Sequence, residues 1–322
     1  MVRRLLLALL VLVLLATGAV GTLVSAFKYY NKPGPLPEAK VVVVPHGAPA
    51  ELGELLVKEG VLPGTTGFRI AVNLTHAADS LKSGEFTFPE HASLLAVIST
   101  LRNGRPVQHK VTLPEGLTAY QIGAILSRAP ALDGDAPSFG EGAFFPDTYA
   151  YTYGTPRAQI VERGRAEMDK NLAKVWDSRD PTIPLASPQQ LLTLASLVER
   201  ETSRPEERPH VAAVYLNRLK SGMKLQSDPT VAYVASHGQA NSERGITRAQ
   251  LETPSPYNTY LIAGLPPGPI ASPGMASLLA VAHPLASDDL YFVADGEGGH
   301  AFAKTLDDHN RNVAKYRSVQ TR

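Results

Sequence analysis

Cysteine is absent from the 322 residues, which excludes a disulfide scaffold, a thiol nucleophile and any cysteine-ligated metal centre. An excess of one charge is missing too. Lys and Arg number 31 against 30 Asp and Glu, leaving +1, so nothing draws the chain onto nucleic acid. Neither His-x-x-x-His nor His-Glu-x-x-His occurs. His283, His300 and His309, which gather late in the chain, therefore read as packed or surface histidines, and no metal and no cofactor is expected. A Gly-x-Ser-x-Gly elbow is also lacking, which counts against a serine hydrolase. What the chain does hold is 44% hydrophobic residues and only 19% charged ones, enough to bury a core and too apolar for disorder. Its 26 Gly and 26 Pro imply many shaped loops, and its length leaves room for about two domains.

One long hydrophobic run stands out. Residues 5–27 carry no charge, with Arg3 and Arg4 before them and Lys28 after. As a helix they span about 34 Å, enough for a hydrocarbon layer of about 30 Å. The leading arginines favour a cytoplasmic N-terminus. The expectation is a cytoplasmic tip (1–4), a single-pass anchor in the cell (inner) membrane (5–27) and a linker (28–38) stiffened by NKPGPLP. Everything after Lys40 would then work outside the cytoplasm. A cleaved signal peptide is the competing reading, because small residues near Ala16 and at 24–26 resemble a cleavage site. Its apolar core, however, normally runs only about 7–15 residues.

Beyond the linker one grammar repeats three times: a short strand, a proline, a turn and an amphipathic helix. The strands are 41–44, 85–88 and 110–113, ended by Pro45, Pro89 and Pro114, with helices at 48–58, 92–101 and 118–127. The third unit, VTLPEGLTAYQIGAIL, resembles the opening of a LysM module, a small glycan-binding fold, although it reads equally as an ordinary βα unit. The composition then turns to Gly, Pro, Ala and acid over 129–142, which marks a boundary. The fold class expected is α+β, with a βα-repeat domain (39–132, the LysM-like unit at 109–128) and a second mixed domain with a loop-rich C-terminal part (133–322). Residues 156–177 suit a long helix, and Asp295–His300 suits the turn of a hairpin between 291–294 and 301–304.

The most informative segment is QQLLTLASLVERET. On a helix, Leu191, Leu194, Leu197 and Val198 share one face, and Glu201 falls inside that stripe. Glu199 lies about 160° away, toward the polar side, so the two acids do not share a site. A carboxylate on an apolar face holds its proton more tightly, as general-acid chemistry at a glycosidic bond requires. Alternatively, Glu201 ends its helix at a surface and pairs with Arg200, Arg204 or Arg218.

Four stretches then resemble the endolytic murein transglycosylases, the membrane-anchored YceG-like family: EGAFFPDTY (141–149), LASLVERETSRPEERPHVAAVYLNRLKSGMKLQSDPTVAY (194–233), LETPSPYNTYLIAGLPPGPIASPG (251–274) and YFVADGEGGHAF (291–302). The resemblance implies that 133–322 is the catalytic domain and that Glu201 is the catalytic acid. It also implies cleavage of the MurNAc–GlcNAc bond of nascent peptidoglycan strands, 1,6-anhydro ends as product, and partnership with peptidoglycan synthases (penicillin-binding proteins). From the residues themselves, Gln226 and Asp228 beside a turn, and Tyr257, Asn258, Thr259 and Tyr260 in a Pro/Gly-rich loop, are the expected sugar contacts. Otherwise Asn258 and Thr259 cap a turn and the tyrosines pack. The other readings are a non-catalytic glycan-binding scaffold and a lysozyme-like muramidase that pairs Glu201 with Asp228 or Glu252.

Overall fold

The computed structural model describes residues 2–239 and 245–320. Its first element, α1 (Val2–Tyr30), is a 29-residue helix whose apolar stretch is entirely unburied. It is long and apolar enough to cross a membrane, and its described leucines are exposed. The Asn31 side-chain amide ends it by donating to the Phe27 carbonyl at 2.8 Å.

The chain divides into two compact units, residues 1–109 with 151–155 and residues 110–150 with 156–322. In the first, β1 (Lys40–Val44), α2 (Pro49–Lys58), α3 (Thr65–Leu74), β2 (Gly84–Phe88) and α4 (Leu94–Asn103) follow one another. The strands pair antiparallel, Val42 opposite Phe86. Val42 and Val44 point into a core with Leu56, Phe68, Phe86, Phe88 and Leu101, whereas Val41 and Val43 point to solvent. Two of the three βα units are thus present near their expected bounds. Helix α3 was not among the expectations; it fills the cleft beside α2 with Phe68 and Val72.

The third βα unit, β3 (His109–Thr112) and α5 (Ala119–Arg128), groups mainly with the second body, so the division falls some twenty residues earlier than composition indicated. The cause is hydrogen bonding. After β4 (Leu132–Asp133), strand β5 (Thr148–Tyr151) pairs with β3, and β6 (Thr155–Pro156) pairs with β4. Gly116 N–H and Ser272 N–H exchange bonds with the Ser272 and Leu117 carbonyls at 2.9 and 2.8 Å. The unit is therefore built into the second body, and nothing in it identifies a separate LysM module. Thr118 and Gln121 cap α5 reciprocally.

Among the described residues, six helices and a hairpin complete the second body before its C-terminal helix: α6 (Arg157–Ser178), α7 (Pro188–Glu201), α8 (Arg208–Lys220), α9 (Asp228–Ser236), the short α10 (Arg248–Leu251), α11 (Met275–Ala282), the hairpin β7 (Tyr291–Ala294) and β8 (His300–Ala303), and α12 (Leu306–Gln320). The hairpin forms as expected, its strands antiparallel with Ala294 opposite His300. At the centre lies α7. Its residues 191–198 are all buried, packed by α6, α8 and α11. The expected one-sided helix is thus buried all round. Thr193 and Ser196 tolerate this because their hydroxyls are satisfied: Ser196 donates to the Thr193 carbonyl at 2.7 Å and accepts from Ile270 N–H at 3.1 Å.

Helix α6 closes over the ring of Phe144 only because position 164 is glycine: a Cβ there would stand 2.3 Å from two ring atoms. An open helical site would gain about 1 kcal/mol from Gly→Ala. Gly164→Ala is expected instead to destabilise by about 1–3 kcal/mol through overpacking, read as a lower denaturant midpoint at unchanged slope. A raised midpoint would contradict this packing.

Candidate active site

Helix α7 begins at a Ser187 cap, with Pro188 in its first turn, and ends on Glu201, after which Thr202 turns extended. The Glu201 Oε2 accepts two hydrogen bonds, from Tyr215 Oη on α8 at 2.7 Å and from Ser227 Oγ ahead of α9 at 3.1 Å. Tyr215 is 1% exposed and Ser227 is fully buried. Glu201 itself is half-buried. Burial pushes its pKa up and the charge of Asp228 adds to that, while the donors Tyr215 and Ser227 and the nearby His300 pull it down; the net direction is upward. Among the described residues no ion pair reaches it. Arg200 and Arg218 donate to main-chain carbonyls, and Arg204 turns to Glu297 and Glu207. The surface-pairing alternative therefore has no geometry behind it.

Ser227 is the hinge of the surrounding loops. It occupies the N-cap position of α9 but makes no side-chain cap, its hydroxyl being turned to Glu201. Its N–H donates to Thr259 Oγ1 at 2.9 Å, and Gln226 N–H donates to the Thr259 carbonyl at 3.1 Å. Gln226 carries a left-handed backbone (φ 51) and an exposed side chain, strain of the sort found beside functional sites. Asp228 is exposed and accepts from Tyr260 Oη at 2.5 Å. Burial, then this bond, drives the Tyr260 hydroxyl well above its ordinary range, so it stays a donor.

The other loop residues behave differently. Asn258 and Thr259 have no exposed surface. The Asn258 amide donates to the Leu251 and Thr253 carbonyls at 3.0 and 2.9 Å and accepts from Tyr260 N–H, so it clips the loop into shape. Thr259 is held by Thr230 Oγ1 at 2.9 Å. Their expected place as surface sugar contacts gives way to loop positioning, because every polar group is already bonded inside. Tyr257 is partly exposed and leans on Tyr233, ring centroids 5.2 Å apart, at the rim of a cavity of about 600 Å³. Tyr233 Oη donates to Glu141, and Glu141 accepts from Ala119 N–H at the start of α5. Of four measured cavities, of about 270–600 Å³, none is lined by Glu201.

Glu199 is also buried, contrary to its expected polar face, because α7 is enclosed on all sides. Its side chain is 4% exposed, paired with Arg208 at 2.8 Å and bonded by Gly274 N–H at 3.0 Å. Glu252 lies out in solvent with Arg248, and Asp295 is spent on the hairpin turn, so neither joins Glu201. Sequence reasoning missed Tyr215 as a carboxylate partner; the available signal was a hydroxyl set among Val211, Ala212 and Leu216, which demands a partner once buried. It also missed the pair His300–Glu207, Nδ1 to Oε2 at 2.7 Å. His300 is otherwise packed, as expected, edge-on to Phe292. Among the described residues no group of His, Asp and Glu could hold a metal.

A sequence profile described as the YceG-like family matches residues 42–315. The chain is 30% identical over 324 aligned residues to a protein of Streptococcus pneumoniae named endolytic murein transglycosylase, covering 85% of this chain and 58% of that one. A protein of the same name from Bacillus subtilis is 39% identical over 176 residues, 55% of this chain and 48% of that one. The chain thus spans about half the length of the curated relatives it matches. The crystal structure of a yceG-like protein from Listeria monocytogenes superposes with a TM-score of 0.55 at 29% identity, covering 85% of this chain and 99% of that one.

A raised carboxyl pKa destabilises the fold only where the group ionises. Below the ordinary carboxylate range both folded and unfolded chains are protonated and no penalty exists; as pH rises through the folded-state value, the buried charge costs stability. Gln in place of Glu201 keeps an oxygen for Tyr215 and Ser227 but never ionises. Glu201→Gln is expected to melt above the parent at pH 8, with the gap closing near about pH 3. A gap independent of pH, in thermal scans, would contradict this electrostatic account.

Proposed function

Because the chain belongs to the YceG-like family, we propose that it is an endolytic peptidoglycan lytic transglycosylase, with Glu201 as the acid that breaks the bond between N-acetylmuramic acid and N-acetylglucosamine. The observation that carries this is the half-buried Glu201 carboxyl at the end of a buried helix, its pKa raised by burial and its Oε2 held by two hydroxyls. Protonated, Glu201 gives its proton to the glycosidic oxygen as the bond breaks, leaving an oxocarbenium-like centre at C1 of the muramic residue. The 6-hydroxyl of that same residue attacks C1, and the Glu201 carboxylate takes up its proton. A 1,6-anhydro end forms, the acid is regenerated and no water is consumed. Tyr215 and Ser227 serve the carboxylate half of the cycle: both donate to Oε2, where charge appears when the proton leaves.

One acid is enough for this route, whereas a hydrolase needs a second carboxylate. Asp228 is the nearest candidate in the structure, but its Oδ1 is engaged by Tyr260 and its side chain is exposed. We assign Asp228, Tyr260 and Gln226 to the wall of the glycan track, and Tyr257 to its far rim. Helix α1 supports a single-pass anchor with its N-terminus in the cytoplasm, which would keep cleavage near newly made strands and end their growth. Family membership is what supports partnership with peptidoglycan synthases.

The expected result for Glu201→Gln is a loss of fragment release from murein of about 10²–10⁴-fold, with Tyr215 still buried and the fold intact. Mass spectrometry of parent digests is expected to show anhydro ends, one water lighter than reducing ends. Asp228→Asn should keep that product. Reducing ends that depend on Asp228 would make the protein a muramidase, and undiminished release by Glu201→Gln would leave only a glycan-binding scaffold.

A further inference from the structure

We propose that His300 is a positioning residue: Glu207, bonded to Thr202 next to Glu201, and Phe292, packed on Tyr215, fix its imidazole on the hairpin within electrostatic reach of the Glu201 carboxyl. The inference rests on Glu201 being the acid and adds a residue that touches neither substrate nor leaving group. Three bonds build the arrangement. His300 Nδ1 meets Glu207 Oε2 at 2.7 Å, His300 N–H donates to Glu207 Oε1 at 3.0 Å, and Thr202, the residue after Glu201, donates from Oγ1 to Glu207 Oε2 at 3.0 Å. Glu207 and His300 are only 13% and 16% exposed, so the pair is largely shielded from salt. On the other flank the ring stands edge-on to Phe292 at 5.3 Å, and Phe292 stands edge-on to Tyr215 at 5.7 Å. Tyr215 in turn bonds Glu201. Two separate routes, through Thr202 and through Phe292, therefore lock the imidazole relative to the carboxyl.

The direction of the effect follows from charge. An imidazolium favours the ionised form of Glu201 and a neutral imidazole does not, which is the pull His300 exerts. Burial and the hydrogen bonds from His300 act oppositely on Glu207; the bonds prevail and hold it below its ordinary range, a fixed negative partner for the ring. The other groups facing this pair are Arg204, 3.9 Å from Glu207, and Asp295 across Gly299. Facing Glu201 are Asp228, which opposes His300, the tyrosines Tyr215 and Tyr260, both pushed upward by burial and neutral in this range, and Arg218, a constant charge.

The test uses the full chain in detergent, with His300→Gln as a permanently neutral side chain and His300→Lys as a permanently charged one. Two readouts are taken: the carbon NMR titration of the Glu201 carboxyl, assigned by its loss in Glu201→Gln, and the pH profile of kcat/KM on murein. His300→Gln is expected to move the Glu201 midpoint and the falling alkaline limb to higher pH, and His300→Lys to lower pH. A displacement of about half a pH unit is about threefold in rate at a fixed pH on that limb. His300→Arg carries the charged-side prediction should His300→Lys fail to fold. Shifts of one sign in all variants, or none, would overturn the proposal. Opposite shifts in the titration without a matching limb would uphold the coupling and instead reject Glu201 as the acid.

Discussion

A carboxyl group at the end of a helix buried on every side is the constraint around which the second body is arranged. Residues 191–198 of α7 have no face left for water, so the helix can release its polar cargo only at its last turn. There two acids emerge with opposite treatment. Glu199 is neutralised by Arg208 and Gly274 N–H and ties α7 to α8 and α11. Among the described residues Glu201 has no cation in direct contact, only the hydroxyls of Tyr215 and Ser227. A hydroxyl stabilises an anion less than a guanidinium does, and it remains compatible with a protonated acid. Such an environment suits a group that must give up a proton and take one back.

The loops divide their labour along the same line. Asn258 and Thr259 are interior braces: the loop presents Tyr260 to Asp228, the Thr259 carbonyl accepts from Gln226 N–H, and the Thr259 hydroxyl accepts from Ser227 N–H. The polar groups that face outward are then few: Gln226, Asp228 and the two tyrosine edges. A buried amide that shapes a loop and an exposed one that reads a sugar look alike in a Pro/Gly-rich string.

That is why the sequence was legible in some places and opaque in others. The N-terminal apolar helix, the strand–proline–helix units and the C-terminal hairpin follow from local pattern, because charge, proline and turn residues act over a few positions. The place of Glu201 on the Leu194–Leu197–Val198 face also follows from helical periodicity. Glu199 was misplaced because a helical wheel assumes one wet side, and α7 has none. The grouping of the third βα unit with the second body rests on bonds between residues 116–117 and 272, which no local pattern records. The pairing of His300 with Glu207 spans 93 residues and was invisible for the same reason.

Ser227 starts a helix and leaves it uncapped, lending its oxygen to the acid of another helix. Aspartate or asparagine would open α9 more firmly, and aspartate would also set a second negative charge against Glu201. On the proposed role of Glu201, selection for heat resistance and selection for turnover therefore pull this one side chain in opposite directions. The modest stability forgone at that corner is the imprint of use rather than a flaw in the design.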